Sequence, residues 1–263
     1  MSSASLLPLP LILAAAALMG ACLGSFANVL IYRLPRNLSV MGPRSFCPAC
    51  RAQVAWHDNV PVLSWLLLRG RCRQCHAAIS WRYPAVEAAG ALCLAAGLVR
   101  FGANPTGLAA GVFLLLLLVV AVVDWQHMII PHTVTLSGLA VALAATLADG
   151  RTLMDAVLGA AVGAGIVLAL AYGYRAVRGV VGMGFGDVML MGMIGAFVGP
   201  WGAVAVLFGG SLLGTVYVLV LQRGRLDGTA RLPFGTFLAA AAVLVLMAGE
   251  PLFRWYAGLL QTG

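Results

Sequence analysis

Two acidic residues occupy positions where acids are costly. Asp124 closes a long apolar run, and Asp187 opens another directly after Gly182-Met183-Gly184-Phe185-Gly186. A carboxylate at the edge of hydrocarbon marks a functional group by default. Helix capping explains one Asp after a Gly but not three alternating glycines. Two carboxylates brought together at a low-dielectric boundary do not both ionise easily, so one keeps a proton while the other can take one from water. That pair can hydrolyse a peptide bond without a metal or a covalent intermediate. Gly184 and Gly186 would let an extended peptide backbone approach. The same electrostatics would also serve proton or cation coupling in a transporter.

A second chemistry is written in cysteine. Cys47-Pro48-Ala49-Cys50 and Cys72-Arg73-Gln74-Cys75 are two CxxC pairs with 21 residues between them, close to zinc-ribbon spacing. Four thiolates fill a tetrahedral sphere and leave no position to activate water, so the zinc expected here is structural. His57 and His76 lie nearby but are not needed as ligands. Cys22 and Cys93 stand alone in apolar runs and read as small buried hydrophobes.

The elements that must position these groups are membrane helices. With 62% hydrophobic and 9% charged residues, the chain is too apolar for a soluble domain of its size and reads as an all-α polytopic membrane protein. About 20 apolar residues make a span, and segments 6–31, 84–99, 107–123, 133–148, 152–172, 187–198, 201–221 and 233–249 give about eight transmembrane helices. The segment opened by Asp187 is short for a full crossing. Segment 6–31 has basic residues only after it, which predicts a retained first span rather than a cleaved signal. Three parts follow: the first helix (1–31), a polar insertion (32–83) and the remaining helices (84–263).

All 16 basic residues are arginines. Arg33, Arg36, Arg44, Arg51, Arg69, Arg71, Arg73 and Arg82 sit in the insertion against the single acid Asp58, which places the insertion in the cytoplasm. Alternating sides from there puts Arg175, Arg178, Arg223, Arg225 and Arg231 inside as well, and both termini outside. Only Arg100, Arg151 and Arg254 fall on the outer side. In that topology Asp124 and Asp187 share one depth at the cytoplasmic face. The arginines next to spans read as topology signals and as partners of anionic lipid head groups, not as a nucleic-acid surface. His127, three positions after Asp124, and His132, after Pro131, read as solvated interfacial histidines, although either could tune an acid.

These residues resemble a known family, the bacterial type IV prepilin peptidases, membrane aspartic proteases of the GxGD type. The opening Gly24-Ser25-Phe26-Ala27-Asn28-Val29-Leu30-Ile31-Tyr32-Arg33-Leu34-Pro35 is similar to that family's first motif. Asn59-Val60-Pro61, Ser64-Trp65-Leu66, Arg69-Gly70-Arg71-Cys72 and Ile79-Ser80-Trp81-Arg82-Tyr83-Pro84-Ala85-Val86-Glu87 are similar to its cytoplasmic segment. Gly184-Phe185-Gly186-Asp187 resembles its glycine-aspartate motif, and Asp124 falls where its first catalytic Asp is expected. One departure is His132, where many relatives carry Asp after the proline.

The resemblance implies an enzyme of the bacterial inner membrane serving type IV pili and type II secretion. It would remove the basic leader from prepilins and pseudopilins at the cytoplasmic face with Asp124 and Asp187. It would then methylate the new N-terminal amine with S-adenosylmethionine. The insertion has no glycine-rich Rossmann fingerprint for that donor; Gly70, beside the cysteine pair, and Glu87, an acid near the bilayer surface, are the residues assigned to methyl transfer. Two readings from other classes stay open at this point: a proton-coupled transporter, and a non-catalytic pilus or secretion scaffold.

Overall fold

The computed structural model describes residues 8–42, 44–180, 182–221 and 232–261. Arg223, Arg225, Asp227 and Arg231 lie outside the described residues, as do the side chains of Glu250 and Arg254. The helices are α1 (Leu9–Arg33), a short α2 (Leu63–Leu67), α3 (Arg82–Phe101), α4 (Pro105–His127), α5 (His132–Ala148), α6 (Leu153–Arg178), α7 (Phe185–Leu221) and α8 (Phe234–Gln261). Among the described residues, the only β pairing is two isolated bridges in the polar insertion.

Over their described residues, all eight apolar segments expected from the sequence are helical but for a residue at some ends. Among the described residues, five helices are long and apolar enough to cross a membrane, namely α1 (with the turn that follows it), α3, α4, α6 and α7, while α5 and the Phe234–Gly249 part of α8 are shorter apolar helices. The chain divides into two compact units, Met1–Leu115 and Leu116–Gly263, and α4 runs from one into the other.

In the first unit, α1 and α3 lie antiparallel on a seam of small residues. A Cβ on Gly20 would strike the carbonyl oxygen of Gly90, and one on Gly24 would come within 2.7 Å of the Glu87 Cα. One turn further along α1, the Asn28 side-chain amide donates to the Tyr83 carbonyl at 3.0 Å. Small residues are what allow helix backbones to approach this closely where apolar burial supplies little drive. Cys93 is half-buried on α3, but Cys22 is exposed, because α1 directs its small-residue stripe, not that cysteine, toward α3.

In the second unit α7 is two helices. Gly199 has φ 78° and ψ 176°, outside helical space, and Pro200 follows it. The packing shows how sharply the chain turns there. Gly163 of α6 lies against the Met191 carbonyl and also against the Ala203 Cβ, and Gly159 lies against Gly195 and Gly199. Twelve residues of straight helix would separate positions 191 and 203 by about 18 Å, so the two arms of α7 fold back on each other at Gly199. The expected segments 187–198 and 201–221 are these arms. At the start of α6, Thr152 and Asp155 form a reciprocal capping box, and the Arg151 guanidinium donates to the Phe197 carbonyl at 3.3 Å, near the turn.

The α6–α7 seam is testable. Gly195→Val drives a side chain into the Gly159 carbonyl and is expected to cost about 1–3 kcal/mol through overpacking. Gly165→Ala on the same α6, where nothing lies within 4 Å of the new methyl, should be neutral or mildly stabilising. Thermal unfolding of the two variants in detergent measures the difference; equal midpoints would refute the seam.

Candidate active site and metal centre

Asp124 lies in the last turn of α4, after an almost uninterrupted aliphatic run, and is only 5% exposed. A buried carboxylate needs donors, and they come from the first turn of α8. The Thr236 backbone N–H donates to Asp124 Oδ2 at 2.8 Å, and the Thr236 hydroxyl lies 3.2 Å from the same oxygen. That hydroxyl also sits 3.0 Å from the Ala121 carbonyl, so its one proton has two acceptors within reach. Gly235 explains how the backbone comes so near. A Cβ there would lie 3.0 Å from Asp124 Oδ2 and 2.8 Å from Ile130 Cδ1.

Asp187 is the third residue of α7. Its Oδ2 accepts the Gly184 backbone N–H at 3.1 Å, while its own N–H donates to the Gly184 carbonyl at 3.1 Å. This is half a capping box. Asp187 therefore does cap the helix start. The two expected acids, 63 positions apart in sequence, stand at the end of one helix and the beginning of another, and both border the α4–α5 loop: Ile130 lies against Gly235, which adjoins Asp124, and against Gly186, the neighbour of Asp187.

The two glycines differ. A Cβ on Gly186 would meet Ile130 Cβ at 3.0 Å, so Gly186 makes room for the α4–α5 loop. A Cβ on Gly184 would meet only Asp187 Oδ2, at 3.6 Å, and the adjoining Gly186 nitrogen; its side of the loop is open. His127 is exposed at the end of α4, and His132 packs its ring on Phe185 at 6.0 Å between centroids. Thr236, Gly235 and Ile130 were not singled out in the sequence. Pro233-Phe234-Gly235 before an apolar run was the available signal for a helix start pressed against something.

The four cysteines Cys47, Cys50, Cys72 and Cys75 converge, with all four sulfurs within 4.8 Å of one another. Two matching knuckles hold them. The Cys47 N–H donates to the Ala52 carbonyl at 2.8 Å and the Cys72 N–H to that of Ala77 at 2.9 Å. Four residues after each leading cysteine stands a left-handed residue, Arg51 (φ 62°) and His76 (φ 57°). Cys47 Sγ and Cys75 Sγ are 3.8 Å apart, far beyond a disulfide bond and equal to the edge of a tetrahedron with metal–sulfur bonds of about 2.3 Å. The set fits zinc, and neither His57 nor His76 belongs to it. Backbone N–H groups of Cys75 and Gln74 bring the Cys72 thiol down to about 7. A bond from the Ala77 backbone works the other way on Cys75, yet burial and the neighbouring thiols push it up to about 11. Beside the knuckle, Arg73 grips both Asp58 oxygens, at 2.7 and 2.6 Å, and holds that carboxyl below its ordinary value.

The two residues assigned to methyl transfer sit in separate contacts. Gly70 (φ 66°) is roofed by the Trp65 indole, which a Cβ would strike at 2.9 Å, and the Trp65 Nε1–H donates to the Ile79 carbonyl at 3.0 Å. Glu87 Oε2 accepts the Val62 backbone N–H at 2.7 Å. Val62 needs such a partner. It has φ 61° and ψ −50°, and the Leu63 N–H reaches back to the Pro61 carbonyl at 2.6 Å. This is a strained γ-turn, unusual for a β-branched residue.

Residues 18–101 match the family profile described as Bacterial Peptidase A24 N-terminal domain, and residues 111–219 match that of the Type IV leader peptidase family. The chain is 34% identical to the "Prepilin leader peptidase/N-methyltransferase" of Aeromonas salmonicida (strain A449), over 89% of this chain and 90% of the relative. It is 35% identical to the protein of that name from Burkholderia pseudomallei (strain K96243), over 96% and 90%. With that of Bacillus subtilis (strain 168) the identity is 34%, over 90% and 94%. No solved structure matches. Five helices fit to cross a membrane and relatives that align over nearly their whole length lead to one conclusion: the chain belongs to the type IV leader peptidase family and is a multi-pass membrane peptidase.

Proposed function

We propose that this protein removes the leader from type IV prepilins and pseudopilins with an aspartate dyad, and then methylates the exposed N-terminus. The observation that carries the peptidase reading is that the turns bearing Asp124 and Asp187 both close on Ile130 beside an open glycine loop, in a chain whose relatives are named as prepilin leader peptidases. One carboxylate holds a proton and polarises the scissile carbonyl. The other takes a proton from a water as that water adds to the carbon. The resulting gem-diol collapses as a carboxyl proton passes to the leaving amine. Gly184 keeps the loop bare so that an extended substrate backbone can lie beside Asp187, and Gly186 seats the loop against Ile130. Thr236 and Gly235 hold Asp124 in place.

In this reading the helices cross the bacterial inner membrane about eight times with both termini outside, and the dyad lies at the cytoplasmic face. The three-part division, 1–31, 32–83 and 84–263, assigns the insertion to methyl transfer and the later helices to proteolysis. Zinc in Cys47, Cys50, Cys72 and Cys75 is structural, since four sulfurs complete its sphere. S-adenosylmethionine supplies the methyl group. Gly70 and Glu87 act by shaping the insertion, because the observed contacts of both run to its backbone and to Trp65.

Three outcomes test these assignments. Asp124→Asn and Asp187→Asn should each lower leader cleavage at least about a thousandfold while the protein stays monodisperse in detergent; full cleavage by either would overturn the dyad. Purified protein should carry one zinc by metal analysis, and Cys47→Ser or Cys72→Ser should release it and lower the unfolding temperature; zinc-free wild-type protein contradicts the site. Glu87→Gln should reduce methylation, read as the product's N-terminal mass with S-adenosylmethionine present, and leave cleavage near wild type. Unchanged methylation would remove Glu87 from that half of the reaction.

A further inference from the structure

The short helix α2 carries an apolar face that the mechanism does not use. Leu63, Leu66 and Leu67 are 53%, 58% and 73% exposed, and their i, i+3, i+4 spacing puts them on one side. The opposite side is tied down. The buried Ser64 hydroxyl donates to the His57 carbonyl at 3.0 Å and accepts the Val60 N–H at 3.0 Å, while the Trp65 indole reaches Ile79. The leucines thus face outward because the fold uses the other face.

The depth of this face is set by a contact already described. Glu87 lies five residues into α3, which qualifies as a membrane span from Arg82 onward; at 1.5 Å per residue that is about 7.5 Å along its axis. Glu87 holds Val62, the residue just before α2, at 2.7 Å. An exposed leucine face that starts beside the first turns of a membrane span lies level with lipid, not bulk water. Its surroundings match that level. Trp56 and Trp81 are exposed in the same insertion, and indoles favour the membrane–water boundary. Arg69 and Arg71 are exposed immediately after α2, and the one acid of the insertion, Asp58, is engaged by Arg73. The other acid close to α2, Glu87, is taken up by the Val62 N–H.

We propose that α2 is an interfacial anchor: Leu63, Leu66 and Leu67 sit at the head-group–acyl boundary of an anionic bilayer, with Arg69 and Arg71 toward lipid phosphates. The insertion then lies on the membrane instead of standing clear of it. This rests on the chain being a multi-pass membrane protein, and the experiment separates the two ideas.

The full-length, zinc-loaded protein is placed in nanodiscs of phosphatidylethanolamine and phosphatidylglycerol, with an apolar diazirine amino acid at position 66, 67, 74 or 92. Leu92 is 70% exposed within α3 and reports the membrane; Gln74 is exposed in the cysteine knuckle and reports solvent. After illumination, mass spectrometry should find lipid adducts from positions 66, 67 and 92 and only water adducts from position 74. Water or protein adducts at 66 and 67, with lipid still at 92, overturn the anchor, and loss of lipid at 92 overturns the membrane reading itself. Phosphatidylcholine discs should give fewer lipid adducts at 66 and 67; equal yields refute the role of the two arginines.

Discussion

A carboxylate buried at the end of an apolar helix is tolerated only if donors reach it, and much of the second unit is arranged to supply them. Asp124 follows a stretch of α4 with no polar side chain of its own to offer. Its partner must come from elsewhere, and Thr236 at the start of α8 brings a backbone N–H and a hydroxyl to one oxygen. Gly235 clears the space for that approach, and Ile130 fills what remains between Gly235 and Gly186. Asp187 solves the same problem locally through the Gly184 N–H. One acid is thus satisfied across 112 residues and the other across three.

Backbone proximity is the second constraint. Where lipid surrounds the helices, apolar side chains gain little by leaving it, and close packing of small residues has to hold the pairs together. The α1–α3 seam at Gly20, Gly24 and Gly90 and the α6–α7 seam at Gly159, Gly163 and Gly195 follow this rule. The second seam also serves the site. It holds both arms of the α7 hairpin against α6, and the first arm carries Asp187.

The insertion shows how a segment with little apolar core is held. Its two knuckles repeat the same hydrogen bonds around four cysteines. Trp65 on Gly70 joins the second knuckle to α2, and Glu87 with Val62 ties α2 to α3. The strain at Val62, of order 1–3 kcal/mol for such a backbone, persists because several contacts fix its neighbours on both sides. That Glu87 bonds a backbone amide and not another acid or base explains why a sequence reading finds the residue but not what it does.

Much of this was legible in the residues. Apolar runs of span length require helices, because backbone groups in lipid must bond within their own segment; paired CxxC units at this spacing require a common metal geometry; and an acid behind alternating glycines signals a site. These are local properties, set by composition and short-range spacing. The reversal at Gly199, the supply of Asp124 by Thr236, the use of Gly186 for Ile130 and the capture of Val62 by Glu87 could not be read in the same way. Each depends on which helix faces which, at what register, and that is decided by small residues meeting across the fold. Sequence by itself determined the helices and singled out the four cysteines that cluster and the two acids at helix ends. Tertiary structure decided which backbone donors hold those acids, because a hydrogen bond is set by ångström distances that no spacing along the chain encodes.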